Sequence, residues 1–185
     1  APMIVEAMAA GKHVICEKPV ALSSIELKQM IDVSRKTNRM LTVHQNRRWD
    51  EDFLIVQKLL RENALGKVFQ LESRVQGSRG VPGDWRNQRE HGGGMILDWG
   101  VHLLQVLLWA MGPEPPKAVV ASGGKYVLDD NSETPDTQIA IYEFPSYTMV
   151  WEHKVSVGLG LYNRPWGMSF TGTAGTLVIN DSGWE

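Results

Sequence analysis

Residues 95–111, MILDWGVHLLQVLLWAM, are apolar on almost every side. At about 100° per residue, Met95, Ile96, Leu97, Trp99, Val101, Leu103, Leu104, Val106 and Leu107 cover most of the helix surface. Asp98, His102 and Gln105 fall in the one narrow sector left. Such a helix has to be covered by other elements, and its polar stripe has to face a polar pocket or a partner. Gly92, Gly93 and Gly94 stand at its head, and Gly112 with Pro113 marks its end. Glycines cost helix stability, but they let a first turn pass close to another backbone or to a ligand. The helix N-terminus adds a positive partial charge and free N–H groups.

The rest of the chain has to supply that cover. Residues 2–10 read as a helix stopped at Gly11. HVICEKP and MLTVHQN (residues 13–19 and 40–46) read as short buried strands. Between them lies a helix capped at Ser23 or Ser24 and ending near Thr37 and Asn38. Strand, helix, strand at this spacing is a βαβ unit with parallel strands. Residues 1–46 therefore look like the last part of a doubly wound domain, truncated at its start. From Arg47 the pattern changes. Residues 52–63 form an amphipathic helix with Phe53, Val56, Leu59 and Leu60 on one side. KVFQLESRVQG alternates as a half-buried strand, and a polar loop over residues 78–90 leads to the apolar helix. Strand-like runs follow at 117–127, 137–144, 148–157, 168–173 and 176–179, separated by turn residues such as Pro145 and Gly175. The fold class expected is α/β (α+β), with residues 47–185 making an open, mostly antiparallel sheet with helices on one face. Tyr142 and Trp151 are expected on the outward face, suited to a homo-oligomer paired through the sheet.

Composition narrows the partners. A net charge of -2 with dispersed basic residues gives no reason to expect nucleic acid or a membrane surface, and no apolar run looks long enough to span a bilayer. A single cysteine, Cys16, rules out an intrachain disulfide and fits a reducing, cytoplasmic setting. It reads as strand packing. Seven tryptophans are more than a core needs, so some are expected at a site or an interface.

Three readings of Asp98 and His102 stay open on spacing alone: a structural i,i+4 pair, two metal ligands, or a carboxylate that orients an imidazole for proton transfer. No third ligand stands at metal spacing, so no metal is expected. Lys18 leaves a strand at the end where open parallel sheets bind ligands, and Pro19 restricts it; alone, EKP reads equally as a solvated turn. Trp85 suits a sugar face and Arg47 or Arg86 an acidic group, with packing or plain surface charge as the alternative for each. His44 reads as a core residue. His13, His91 and His153 earn no role.

AGKHVICEKPVALSSIELKQMI, VHQNRRWD, GDWRNQREHGGGMILDWGVHLL and TGTAGTLVIND, in this order, resemble successive signatures of the glucose-fructose oxidoreductase / inositol dehydrogenase (Gfo/Idh/MocA) family. The resemblance implies a Rossmann domain followed by a substrate domain on an open sheet. It implies an NAD- or NADP-dependent oxidoreductase acting on a CH–OH carbon of a sugar or polyol. By position, Glu17, Lys18, Pro19 and Asn46 would lie at the cofactor, the bond before Pro19 being often cis in relatives. Lys18, Asp98 and His102 would be catalytic, with Arg47, Trp85 and Arg86 at the substrate. His102 would take the hydroxyl proton and Lys18 would support the alkoxide. Two departures stand out. The family's glycine-rich phosphate turn is expected before residue 1, so the chain alone should bind cofactor poorly. Gln105 stands where relatives often carry an acid. The alternatives are an NAD-assisted glycoside hydrolase or lyase of the same family, and a non-catalytic sheet module that assembles a dimer.

Overall fold

In the computed structural model, residues 1–77, 83–112, 114–158 and 160–185 are described. They form two compact units, Ala1–Asn46 and Arg47–Glu185. Most of the expected 78–90 loop's first half, and Pro113, lie outside the described residues.

In the first unit, α1 (Pro2–Ala9) leads to β1 (Val14–Cys16), α2 (Ser24–Thr37) and β2 (Leu41–Val43). Pro2 sits in the first turn of α1, where its missing N–H costs nothing. Gly11 takes φ +80° beyond the last turn. Ser23 caps α2 by accepting from the Glu26 N–H at 3.2 Å, and Glu26 accepts from the Leu22 N–H. Asn38 ends α2 in the left-handed conformation. β1 and β2 pair in parallel, Val14 to Leu41 through Cys16 to Val43. Sequence reading expected both strands to be buried, and neither is: each is only partly covered, and Ile15 is 67% exposed. Two strands and two helices do not cover both faces of a parallel pair, which such sheets normally require.

In the second unit, α3 (Glu51–Arg61) precedes β3 (Val68–Gln76), and α4 (Val101–Met111) precedes β4 (Ala118–Gly124), β5 (Thr137–Glu143), β6 (Thr148–Lys154), β7 (Trp166–Gly172), β8 (Thr176–Asn180) and β9 (Gly183–Trp184). The sheet order is β4-β5-β6-β3-β7-β8-β9. Every pairing is antiparallel except β3 with β6. The sheet is therefore mixed, not a simple meander. β3 lies between β6 and β7.

One face of the sheet carries Leu71, Val75, Ala140, Met149, Trp151, Met168, Phe170, Leu177 and Ile179. These pack with Phe53 and Val56 of α3 and Leu103, Val106 and Leu107 of α4 in one core. Trp151 is fully buried there, and Tyr142 is half-buried against the same core. Both expected outward aromatics thus face inward. On β6 the outward positions are Val150, Glu152 and Lys154, and both sets contain apolar residues, so alternation alone left the facing ambiguous. The outer face carries a polar network. Glu72 accepts from Gln70, Arg74 and Ser169, and Glu152 accepts from Gln76 and pairs with Lys154. Beside it lie Val120, Ile139 and Ile141, all exposed.

By length and composition residues Arg89–Met111 would suffice to cross a bilayer, contrary to expectation. That span counts the 3-10 turn Arg89–His91 and the non-helical Gly92, Gly93 and Gly94 together with the helix. Leu103, Val106 and Leu107 belong to the core, as in the central helix of a globular domain.

Candidate functional site

The head of the apolar helix is not regular α-helix. Residues Ile96–Gly100 form a π-turn, and α4 continues from Val101. Single π-turns inside helices concentrate at functional positions. Asp98 lies in this turn and His102 in the first turn of α4. They are 6% and 8% exposed, so both ionisable groups are held away from bulk water. At Gly100 a side chain would crowd Ile96 of the preceding turn at 3.1 Å and would stand in ordinary contact with Trp151 of the sheet at 3.6 Å.

The three glycines serve a second segment. Two 3-10 turns, Trp85–Asn87 and Arg89–His91, form an arm against the helix head. The Gly94 N–H donates to the Arg86 carbonyl at 2.8 Å and the Gly93 N–H to the Gln88 carbonyl at 2.9 Å. A Cβ on Gly93 would lie 2.4 Å from the Arg86 oxygen. Gly92 and Gly94 hold φ of +73° and +106°, where only glycine is at ease. The close approach expected of these glycines is to a backbone, that of Arg86.

That approach delivers the Arg86 side chain to Asp98. Its Nε donates to Asp98 Oδ2 at 2.7 Å, Nη1 donates to Asp84 Oδ2 at 2.6 Å, and the guanidinium lies 4.6 Å from the Trp85 ring centroid. Burial alone would pull the Arg86 pKa down, but the hydrogen bond and charge of Asp98, joined by Asp84, raise it above its ordinary value. A charge-assisted bond of this kind fixes the carboxylate in direction as well as in charge. Sequence reading offered Trp85 and Arg86 as candidates for a substrate rim; Arg86 is bonded to Asp98, and Trp85 lies against its guanidinium. Arg47 lies 5.1 Å from the centroids of both Trp99 and Trp166 and reaches Asp50 at 3.3 Å. The geometry of the arm rests on Asp84, Arg89 and Glu133 as well, none of which sequence reading singled out. The available signal was the run of three glycines, which demands a backbone partner.

The other site residues belong to the first unit. Glu17 and Lys18 follow β1, the Lys18–Pro19 bond is cis, and Asn46 opens the 3-10 turn Asn46–Trp49. His44 follows β2 and is exposed, not a core residue; its Nδ1 meets Glu17 Oε1 at 2.7 Å. That hydrogen bond lowers the Glu17 pKa. The pair joins the carboxyl ends of two parallel strands, the edge at which open parallel sheets receive ligands. Residues 17–19 and 44 thus lie together at that edge of the parallel pair. The Cys16 thiol donates to the backbone carbonyls of Glu17 and Val20, and burial pushes its pKa up, which disfavours the reactive thiolate. Among the described residues no cluster of histidine, cysteine and carboxylate groups could hold a metal ion.

Comparison with known proteins gives the lineage. Residues 53–178 match the GFO/IDH/MocA C-terminal domain, and residues 1–45 match an oxidoreductase family with an NAD-binding Rossmann fold. An uncharacterised oxidoreductase of Schizosaccharomyces pombe is 38% identical over 120 residues, 64% of this chain and 32% of that protein. A scyllo-inositol 2-dehydrogenase (NADP(+)) of Bacillus subtilis is 33% identical over 128 residues, 69% of this chain and 35% of the enzyme. The crystal structure of an NAD-binding protein from Listeria innocua superposes with a TM-score of 0.85 at 40% identity, covering 97% of this chain and 50% of that one. The chain spans about a third of the length of these curated relatives and half of the solved structure. It belongs to the GFO/IDH/MocA family of oxidoreductases, whose Rossmann fold binds NAD.

Proposed function

We propose that the chain is part of a nicotinamide-dependent dehydrogenase that oxidises a CH–OH carbon of a neutral sugar or polyol, or reduces the matching carbonyl. One observation carries the reading: an arginine-gripped carboxylate and an imidazole, Asp98 and His102, are buried together at the head of one helix. One of the relatives above, the Bacillus subtilis enzyme, is by name a dehydrogenase of an inositol. In the proposed reaction His102 takes the hydroxyl proton, Asp98 binds a substrate hydroxyl and keeps His102 basic, and Lys18 supports the developing alkoxide. The nicotinamide, NAD or NADP, accepts the hydride; the protein's part is placement. A reducing compartment such as the cytoplasm suits the free thiol of Cys16.

The test is reduction of NAD and NADP by the intact protein with a panel of inositols, hexoses and glycosides, repeated with His102→Ala. Loss of at least about a hundred-fold in kcat/KM is expected for removing a general base. A variant as active as the parent ends this mechanism.

The outer face of the sheet supports a proposal about assembly. Val120, Ile139 and Ile141 form an exposed apolar strip beside the Glu72–Arg74 and Glu152–Lys154 pairs. A second copy of the chain covers this face. Ile141→Lys is expected to halve the mass seen by light scattering; an unchanged mass rejects the surface.

A further inference from the structure

We propose that residues 125–136 are a positioning element for the site and that Glu133 is its working residue, acting through Arg86 on Asp98. The role rests on the dehydrogenase reading above. Glu133 meets none of the catalytic groups. It holds the arm that carries Arg86 by three hydrogen bonds. The Glu133 N–H donates to the Asn87 carbonyl at 2.9 Å. Its carboxylate accepts from the Arg89 N–H at 3.0 Å, and its carbonyl accepts from Arg89 Nε at 3.0 Å. The arm is therefore clamped between two surfaces, the Gly93–Gly94 backbone and Glu133.

The clamp is itself rigid. Asp136 is fully buried, and its Oδ2 accepts from the backbone N–H groups of Tyr126, Val127 and Leu128, at 3.0, 2.8 and 2.8 Å. Its Oδ1 accepts from the Thr137 hydroxyl at 2.8 Å. His153 Nε2 donates to the Pro135 carbonyl at 3.0 Å, and the Val155 N–H donates to the Asp136 carbonyl. The C-terminal end of the loop is thus tied to β6 and to the start of β5, and Asp136 gathers the N-terminal end onto it. Thr134 is buried and lies 3.5 Å from where a Cβ on Gly94 would stand, an ordinary packing distance.

This arrangement solves a physical problem. A half-exposed arginine reaching a carboxylate loses much of its benefit to the entropy of holding a long side chain in one place. Fixing the backbone of the arm beforehand removes part of that cost and leaves the guanidinium within reach of Asp98. Geometry at a reacting centre is steep: displacement by about 1 Å is worth up to a hundred-fold in rate. Glu133 is exposed, so its substitution tests placement without emptying the core.

The experiment uses the intact protein with its best substrate from the panel above and four variants: Glu133→Ala, Glu133→Gln, Arg86→Ala and the Glu133→Ala/Arg86→Ala double. Glu133→Ala is expected to lower kcat/KM about ten-fold, carried by kcat, with the cofactor KM and the melting temperature unchanged. Glu133→Gln, which still offers an oxygen to the Arg89 N–H, recovers most of the activity. In the Arg86→Ala background, Glu133→Ala adds nothing, since residues that act through one another are not additive. Full additivity, or a Glu133→Ala variant as active as the parent, overturns the proposal. Amide exchange over residues 85–94 decides the clamp independently of turnover. Faster exchange in Glu133→Ala supports it even if the protein reduces no nicotinamide and the dehydrogenase reading fails. Unchanged exchange rejects it.

Discussion

The two units hold their chemical groups in opposite ways. At the helix head in the second unit, Asp98 is gripped by an arginine whose own backbone is locked against glycines on one side and a buried-aspartate loop on the other. In the first unit, Glu17 and His44 meet in the open, at the ends of two three-residue strands with no covering layer on one face. The first arrangement is over-determined: several contacts fix each group, so the cost of any one rotamer is shared. In the second, the side chains meet in an exposed ion pair beside the backbone bonds of the strands, the kind of pair that contributes little alone. Groups that must be placed to a fraction of an ångström need the former. A strand edge whose side chains stand exposed tolerates the latter, because little packing has to be kept around them.

The largest effects should therefore fall under the helix head. Trp151 is fully buried and touches the position of Gly100. Trp151→Ala should cost about 3–5 kcal/mol, the range for emptying a large aromatic from a core, read as a drop in the denaturant midpoint. A loss under about 1 kcal/mol would mean that the helix does not rest on the sheet as described. Gly93→Ala comes next. Its new Cβ would collide with the Arg86 carbonyl, and backbone cannot yield as a flexible side chain does. We expect a fall in kcat/KM of about a hundred-fold with a smaller loss of stability. An active Gly93→Ala enzyme would show that the arm is free to stand off.

How much of this was legible depends on how local each feature is. The burial of Asp98 and His102 could be read from the helix itself, since apolar residues occupy every other side. The βαβ pattern and the strand positions were legible for the same reason, and Ser23, Gly11 and Asn38 act as their side chains and backbone preferences require. The partners of those groups were not. Arg86 reaches Asp98 across 12 positions and Arg89 reaches Glu133 across 44, and no period links them. The placement of β3 between β6 and β7 is likewise non-local. Trp151 was misplaced because β6 lies in the sheet interior, where both faces carry apolar residues and alternation loses its meaning. The π-turn left no mark in a pattern read at a constant angle.

A pH effect sharpens the contrast at intermediate size. Burial lowers the His153 pKa, and this outweighs the hydrogen bond to Pro135 and the neighbouring carboxylates that raise it. The folded state thus resists a proton that the unfolded chain accepts near pH 6.5. Stability from this group is complete above about pH 6.5 and is lost as pH falls from there towards the lower folded-state value. His153→Gln, which keeps a donor for Pro135, should flatten the melting temperature across that interval. A variant with the parent's slope would move the acid sensitivity elsewhere. Asp136 acts lower still. Burial would raise its pKa, but the N–H groups of Leu128, Val127 and Tyr126 with the Thr137 hydroxyl hold it below the ordinary carboxylate range. Its contribution is present above about pH 3.9 and disappears as pH falls through the depressed value.

The smallest effect is expected in the first unit. His44→Ala removes the exposed partner of Glu17, and an exposed pair of this kind should leave the melting temperature unmoved. Its signature is local instead. The hydrogen bond from His44 is the main cause of the lowered Glu17 pKa, with the neighbouring Lys18 contributing less. Without it, the Glu17 carboxyl should titrate at a higher pH, a shift followed by its side-chain carbon resonance. If His44→Ala instead unfolds the unit, then the two short strands depend on this pair after all, and the contrast between an over-determined helix head and a lightly held strand edge collapses. If the titration moves while the melt does not, residues 17–19 are free to adjust on contact with a ligand. That is a freedom the doubly clamped arm carrying Arg86 does not have.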